Sequence, residues 1–321
     1  MEYTTLGDSG LRISKICLGT MNFGNTINRE NTRMLLSREE ADAVVKKALE
    51  LGINFFETSC YYNDTTSALY LGEALQKYTT RDKVVLAVKI FAKDAGLSRK
   101  EIFRQVNQSL KFLRTSYLDH VIIQGWDNTV PIEETMEALH DLIKTKQIKT
   151  IGASAMRAYQ FLKAQEVARG HHWRRFVAMQ SRYNLIYREA ERELVELLKE
   201  EHVSMTPFTP LASGKLAKIC KETKPEVQGI SSSNKSYDIS EMSDNAIVLR
   251  VKELAEKYQV TMSQIALAWL FEKDQVAAPV VGAAQPEYLE EITNAIKVKL
   301  NQDDIHYLEE LYISHTLLDI C

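Results

Sequence analysis

From residue 16 to residue 281 one pattern repeats: a short apolar or β-branched run, a polar turn, then a stretch with apolar residues three and four apart. The strand candidates are Ile16–Gly19, Ile53–Thr58, Val84–Lys89, Leu118–Gln124, Thr150–Ala153, Phe176–Gln180, Ser204–Pro207 and Ala277–Val281. Several are apolar almost throughout, as strands covered on both faces are. Helical spacing appears over Ser37–Leu51, Asn107–Leu113, Pro131–Lys146 and Glu189–Glu201. In the first, Ser37 with Glu39 and Glu40 opens the helix and Gly52 stops it; in the third, Pro131 suits a first-turn position. Eight strands alternating with helices predict a (β/α)8 TIM barrel. A doubly wound sheet is the competitor, but no Gly-x-Gly-x-x-Gly follows the first strand. The 321 residues fit one such domain spanning 1–321.

Three features depart from the bare repeat. Tyr3–Ser14, turning at Gly7-Asp8-Ser9-Gly10, reads as a hairpin able to plug the barrel's bottom. The stretch 214–244, rich in Ser, Lys and Asn, is too long for an ordinary connector and reads as a flexible loop over a site. The tail after Leu300 reads as an extra C-terminal helix ending in Ile313–Cys321.

Composition narrows the partners. Forty Lys and Arg against 43 Asp and Glu leave a net charge of −3, with no electrostatic reason to bind nucleic acid or an anionic membrane. No apolar run approaches the ~18 residues of a membrane span, and no signal segment is evident at Met1–Gly10. Cys17, Cys60, Cys220 and Cys321 lack zinc-ligand spacing and read as reduced thiols of a cytoplasmic protein. His171-His172 sits in a polar loop, so a metal site is not expected. A small molecule or another protein remains as the partner, while oligomeric state is not legible.

In this barrel, chemistry sits at the strand ends. Those ends, with the segments LGDSGLRISKICLGTMNFG, GINFFETSCYY, PIEETMEALHDLIKTKQIKTIGAS, MQSRYNLIYRE, PFTPLASG and APVVGAAQPEYLEE, resemble the aldo-keto reductases, collinearly over essentially the whole chain. The likeness is to the longer bacterial and fungal members. It implies a (β/α)8 barrel, NADP(H) or NAD(H) bound across the strand ends, and carbonyl reduction.

Reducing a carbonyl needs a hydride donor and a proton donor for the nascent alkoxide. A Tyr serves as the acid, a Lys lowers its pKa, a carboxylate holds the Lys, and a fourth group orients the substrate. The resemblance puts Tyr62 and Lys89 in the first two roles. Glu57 stands where the family has Asp, displacing the carboxylate by about 1 Å, and misplacements of that size cost roughly 10²-fold where geometry is tight. Gln124 stands where the family has His: it can donate a hydrogen bond but cannot be protonated.

The resemblance also implies the cofactor contacts. Ser154 and Gln180 would bond the nicotinamide carboxamide, and Phe208 would stack on its ring. Gly19, Thr20 and Met21 would meet the nicotinamide side. Thr209, Pro210, Leu211, Ser213 and Gly214 would wrap the pyrophosphate. Gly282, Gln285 and Glu291 fall in the stretch after strand eight where the family offers a cation to the 2′-phosphate; here residues 282–287 contain none, so Lys215 or Lys235 would have to supply it.

Plainer readings stand beside these. Lys89 reads otherwise as an edge charge, Tyr62 as a packing aromatic, Gln124 as filler of the old His space, Trp126 as an apolar cap instead of a substrate wall, and Cys60 as a small hydrophobe under the loop. Three functions follow: a reductase with Tyr62 as general acid, a cofactor-binding sensor without turnover, or a lyase or isomerase using the Tyr62–Lys89 pair.

Overall fold

The computed structural model describes residues 1–24, 35–92, 96–219 and 241–315. Eight parallel strands follow in ladder order: β3 (Cys17–Gly19), β4 (Phe55–Thr58), β5 (Val85–Phe91), β6 (Leu118–Gln124), β7 (Ile148–Ser154), β8 (Phe176–Gln180) and β9 (Ser204–Met205), with β10 (Val280–Val281) on the other edge of β3. Backbone bonds close the ring between the segments bearing β9 and β10. The Met205 N–H donates to Gln275 O (2.6 Å), Ala277 N–H to Met205 O (2.9 Å) and Val280 N–H to Pro207 O (2.8 Å). The result is the expected (β/α)8 TIM-barrel fold.

The helices between the strands bury the apolar stripe seen in the sequence. In α1 (Arg38–Glu50), Ser37 and Glu40 form a reciprocal cap and Ala41, Val44, Val45 and Ala48 face inward. Gly52 follows in the left-handed region at φ +83°, where a side chain would be strained. The remaining helices before β9 are α2 (Thr66–Tyr78), α3 (Arg99–Phe112), α4 (Ile132–Lys144), α5 (Ala158–Gly170) and α6 (Leu194–Glu200). After β9 come α7 (Glu241–Tyr258), α8 (Met262–Phe271), α9 (Pro286–Asn294) and α10 (Gln302–Glu309).

Several boundaries differ from expectation. The stretch Asn107–Leu113 is only the second half of α3, because Glu101 and Gln105 in its first half are polar yet buried. Pro131 caps α4 at ψ 134° instead of entering its first turn. Glu189–Glu201 splits into a 3-10 turn (Glu189–Arg192) and α6, because Glu193 leaves helical geometry at φ −148°, ψ −41°. Strand eight contracts to Val280–Val281, and the C-terminal helix ends at Glu309 with Tyr312–His315 irregular. Residues 220–240 of the expected covering loop and 316–321 of the tail lie outside the described residues.

The hairpin, β1 (Tyr3–Thr5) against β2 (Arg12–Ser14), closes the bottom. Its Leu6 and Ile13 are wholly buried in a cluster with Phe55, Val85, Ile122 and Val177 from the barrel interior. Gly7, at φ +52°, lets the turn lie against β8: a Cβ there would stand 2.2 Å from Val177 O. Its N–H donates to Ser204 Oγ at 2.8 Å. Among the described residues no helix is long and apolar enough to cross a membrane.

The plug's contribution is testable by denaturation. Leu6→Ala is expected to lower unfolding free energy by about 2–5 kcal/mol, the usual loss for a large-to-small change in a closed core. A urea midpoint unchanged from wild type would show that the hairpin rests on the barrel without sealing it.

Candidate active site

The strand register decides which side chains reach the barrel's mouth. Glu57 pairs with Ala87, Ala87 with His120 and His120 with Thr150, so these four share the inner face. Two residues on, Lys89 keeps that face; Phe91, Gln124, Ser154 and Gln180 follow in adjacent registers. The chain leaves β4 through a tight turn in which the Tyr61 N–H bonds Ser59 Oγ at 3.1 Å. Asn63, Asp64 and Thr65 then take φ of +50°, +52° and +74°. Three successive left-handed residues, one of them β-branched, are strained. Asn63 Nδ2 anchors the excursion by donating to Met21 O (2.7 Å) and Phe23 O (2.8 Å). Tyr62 is thereby swung back over the strand ends.

There it closes a triangle. The Tyr62 hydroxyl donates to Glu57 Oε1 at 3.0 Å and accepts from Lys89 Nζ at 3.2 Å, while Nζ stands 3.5 Å from Oε1. Glu57 is 3 % and Lys89 8 % exposed, so each charge depends on the other for compensation. This speaks against Lys89 as an edge charge and Tyr62 as mere packing. Burial, then the charge and hydrogen-bond acceptance of Glu57, hold the Tyr62 phenol well above its usual pKa. The Glu57 carboxylate thus reaches the phenol itself, and the phenol stays protonated. Beneath them, burial and then Glu57 push the Cys17 thiol up as well.

Gln124, Ser154 and Gln180 occupy successive registers on the inner rim. Gln180 is buried, and both its Nε2 and Oε1 lack a hydrogen-bond partner among the described residues. A buried amide with donor and acceptor both unpaired suits a ligand that offers a carboxamide in return. The buried Thr209 hydroxyl is likewise unpaired. Phe208 is half-buried beside it, its N–H on Ser181 O, with the Arg182 guanidinium 5.9 Å from its ring. Thr209, Ala212, Ser213 and Gly214 all have positive φ, so Thr209-Pro210-Leu211 and the following turn form a coiled rim segment. These residues fit a nicotinamide dinucleotide.

Other expected positions lie less centrally. Gly19 passes close to Glu57: a Cβ there would lie 3.5 Å from Oε2 and 2.8 Å from Val280 Cγ1. The Thr20 hydroxyl is engaged internally with Glu57 O and Ser67 Oγ, whereas Met21 is exposed. Gly282 and Gln285 are exposed, Gln285 capping α9. Glu291 turns toward α8, accepting from Thr261 Oγ1 at 2.7 Å. Trp126 is half-buried with Lys163 Nζ 5.9 Å from its ring. Lys235 lies outside the described residues, and Cys60 is a buried thiol raised by burial. No cluster of three metal-ligating side chains occurs among the described residues.

His120 escaped the sequence reading. Burial brings its pKa down to about 3, so the ring is neutral. Thr150 Oγ1 donates to Asp119 O (2.8 Å), leaving a lone pair for His120 Nδ1–H (2.9 Å); Nε2 is then the bare nitrogen, and it has no partner among the described residues. The ring overlies Gly152, where a Cβ would meet Nε2 at 2.6 Å.

A barrel whose mouth gathers a Tyr, a Lys and a carboxylate beside an amide-lined rim defines a class of oxidoreductase. Consistent with that, the aldo/keto reductase family profile matches residues 15–313. The chain is 37 % identical to an aldo-keto reductase of Fusarium vanettenii, over 97 % of this chain and 91 % of the relative. It is 34 % identical to a putative aryl-alcohol dehydrogenase of Schizosaccharomyces pombe, over 97 % and 95 %. Identity is also 34 % to the versiconal hemiacetal acetate reductase of Aspergillus parasiticus, over 98 % and 97 %. A crystal structure of a thermostable aldo-keto reductase superposes with a TM-score of 0.79 at 24 % identity, covering 97 % of this chain and all of that one. The chain belongs to the aldo/keto reductase family and is an oxidoreductase.

Because His120 is held neutral, the folded state binds fewer protons than the unfolded state below pH 6.5. Its contribution is present above about pH 6.5 and lost as pH falls toward about 3. A His120→Gln variant should therefore show a flatter fall in urea-unfolding stability over that window. Parallel acid limbs for the two proteins would refute the assignment.

Proposed function

We propose that the chain reduces the carbonyl of a small molecule with NAD(P)H, using Tyr62 as proton donor. The observation that carries this reading is the buried Tyr62–Lys89–Glu57 triangle set beside the unpaired Gln180 amide. In that role Ser154 and Gln180 hold the nicotinamide carboxamide and Phe208 covers the ring. When bound, the dinucleotide supplies the hydride. Gln124 donates an amide N–H to the carbonyl oxygen, orienting it without giving up a proton. Tyr62 Oη turns its proton from Glu57 Oε1 to that oxygen, and Lys89 Nζ, 3.2 Å away, stabilises the phenolate left behind. Glu57 keeps the ammonium compensated throughout. Neither the sensor reading nor the lyase or isomerase reading has a specific observation in its favour.

Tyr62→Phe is expected to lower carbonyl-reduction kcat by at least about 10²-fold, the scale of general acid catalysis, while leaving the Kd for NADPH within about two-fold. Retained turnover would reject Tyr62 as the acid. Loss of binding together with turnover would point to damage at the cofactor site instead.

Cofactor choice follows from the rim after β10. Gln285 caps α9 with Glu287 in its first turn, and residues 282–287 hold no cation for a 2′-phosphate. Wild type should therefore bind NADPH and NADH with Kd values within about ten-fold of each other, and Gln285→Arg should tighten NADPH by roughly ten-fold through a charge-assisted contact. Fluorescence titration measures both constants. Equal tightening of NADH would mean the arginine meets some other part of the dinucleotide.

A further inference from the structure

We propose that Gln105, on the outer helix α3, is a positioning residue for the catalytic tyrosine. The inference rests on the reading of Tyr62 as proton donor and adds what holds it in place. β4 stops at Thr58, paired with Val88, so the last residue of β5, Phe91, has no β4 backbone beside it. The chain has left the sheet there to carry Tyr61 and Tyr62. The Gln105 side chain takes over the missing strand: its Oε1 accepts the Phe91 N–H at 3.0 Å and its Nε2 donates to Phe91 O at 3.0 Å. A primary amide offers the donor and acceptor that a neighbouring peptide unit would have offered. Gln105 is fully buried, so no water substitutes at that edge without rearrangement.

The ring fixed in this way is a surface for both tyrosines. Tyr61 packs edge-on against Phe91 at 5.7 Å and Tyr62 at 6.2 Å. The second Gln105 Nε2 hydrogen goes to Glu101 Oε1 at 3.0 Å, which also accepts the Tyr61 hydroxyl at 3.1 Å. Arg104 locks that carboxylate, donating to Glu101 Oε2 at 2.8 Å and to the Tyr61 oxygen at 2.6 Å. One buried amide thus ties the end of β5, the excursion after β4 and α3 together, with the Tyr62 ring leaning on the joint. Phe91 also neighbours Gln124 in register, so displacement of Phe91 would be felt on both sides of the carbonyl oxygen.

Gln105→Met keeps length and volume but offers neither hydrogen bond. With NADPH and 4-nitrobenzaldehyde, its kcat should fall by about ten-fold or more, because sub-ångström placement of an acid controls proton transfer. KM should stay within about three-fold and the NADPH Kd within two-fold. Gln105→Asn keeps the amide's donor and acceptor but draws them back by one methylene, so both bonds to Phe91 are lost without burying a new charge; it stands in if the Met variant does not fold. A second readout needs no turnover: in protein labelled with [13Cζ]tyrosine, the Tyr62 resonance, assigned by its absence from Tyr62→Phe, should shift in the Gln105 variants. An unmoved Tyr62 resonance, or wild-type kcat in a folded variant, would overturn the proposal. A lowered melting temperature with unchanged kcat per folded molecule would assign Gln105 to stability alone. If Tyr62→Phe itself retains turnover, the proton-donor reading fails, and the resonance shift still decides whether Gln105 places Tyr62.

Discussion

Lys89 and Glu57 put two opposite charges inside the barrel's rim, almost out of contact with water, where neither would be tolerated alone. Desolvation of each is offset by their 3.5 Å approach and by the phenol between them, which accepts from one and donates to the other. The surroundings are shaped to that requirement. Gly19 leaves room along the carboxylate. The Glu57 carbonyl is tied by the Thr20 N–H and hydroxyl, and Ser67 joins Thr20 to Thr58 by a chain of buried hydroxyls. Removing either charge would strand the other in low dielectric, a loss of roughly 3–5 kcal/mol for buried pairs. The proposed catalytic geometry and local stability therefore rest on the same three side chains.

Alternation along the strands explains how so polar a set sits on an apolar barrel. On β5, Val85, Ala87 and Lys89 face inward in turn, passing from core to charge within five residues. On β6 the series is His120, Ile122 and Gln124, and on β7 it is Thr150, Gly152 and Ser154. Small residues at Ala87, Gly152 and Ala178 make room for the His120 ring at mid-depth. The imidazole is accommodated there only in its neutral form, which is why its protonation opposes the fold.

Most of this was legible in order and little of it in contact. Collinear strand-end motifs placed Tyr62, Lys89, Glu57, Gln124, Ser154 and Gln180 at one mouth, and strand alternation put them on one face. Hydrophobic periodicity failed where buried residues are polar. Glu101 and Gln105 hid the first half of α3, the half that braces Phe91. His120 was passed over because a lone imidazole in an apolar strand carries no spacing signal. Its alignment with Glu57 through Ala87 is a matter of register, which one strand's sequence does not contain. Glu193 broke the expected helix after β8 through its backbone angle, again a property set by packing.

On the proposed function, two departures from the residues expected of the family bear on the same proton. An amide at Gln124 can polarise a carbonyl but has no proton to deliver, and His120, four residues back on the same face of β6, lies deeper, below Ile122 and over Gly152. Tyr62 is left as the phenol that must supply it. Glu57, longer by a methylene, meets that phenol directly and competes for the O–H. A substrate oxygen captures the proton only once it carries more negative charge than a carboxylate already compensated by Lys89. On the proposed reading that condition would be met only once charge has built on the substrate oxygen, so proton transfer from Tyr62 would follow charge development there. In the proposed reaction the Glu57–Gln124 combination would thus set the order of events at one oxygen, with the fold unchanged.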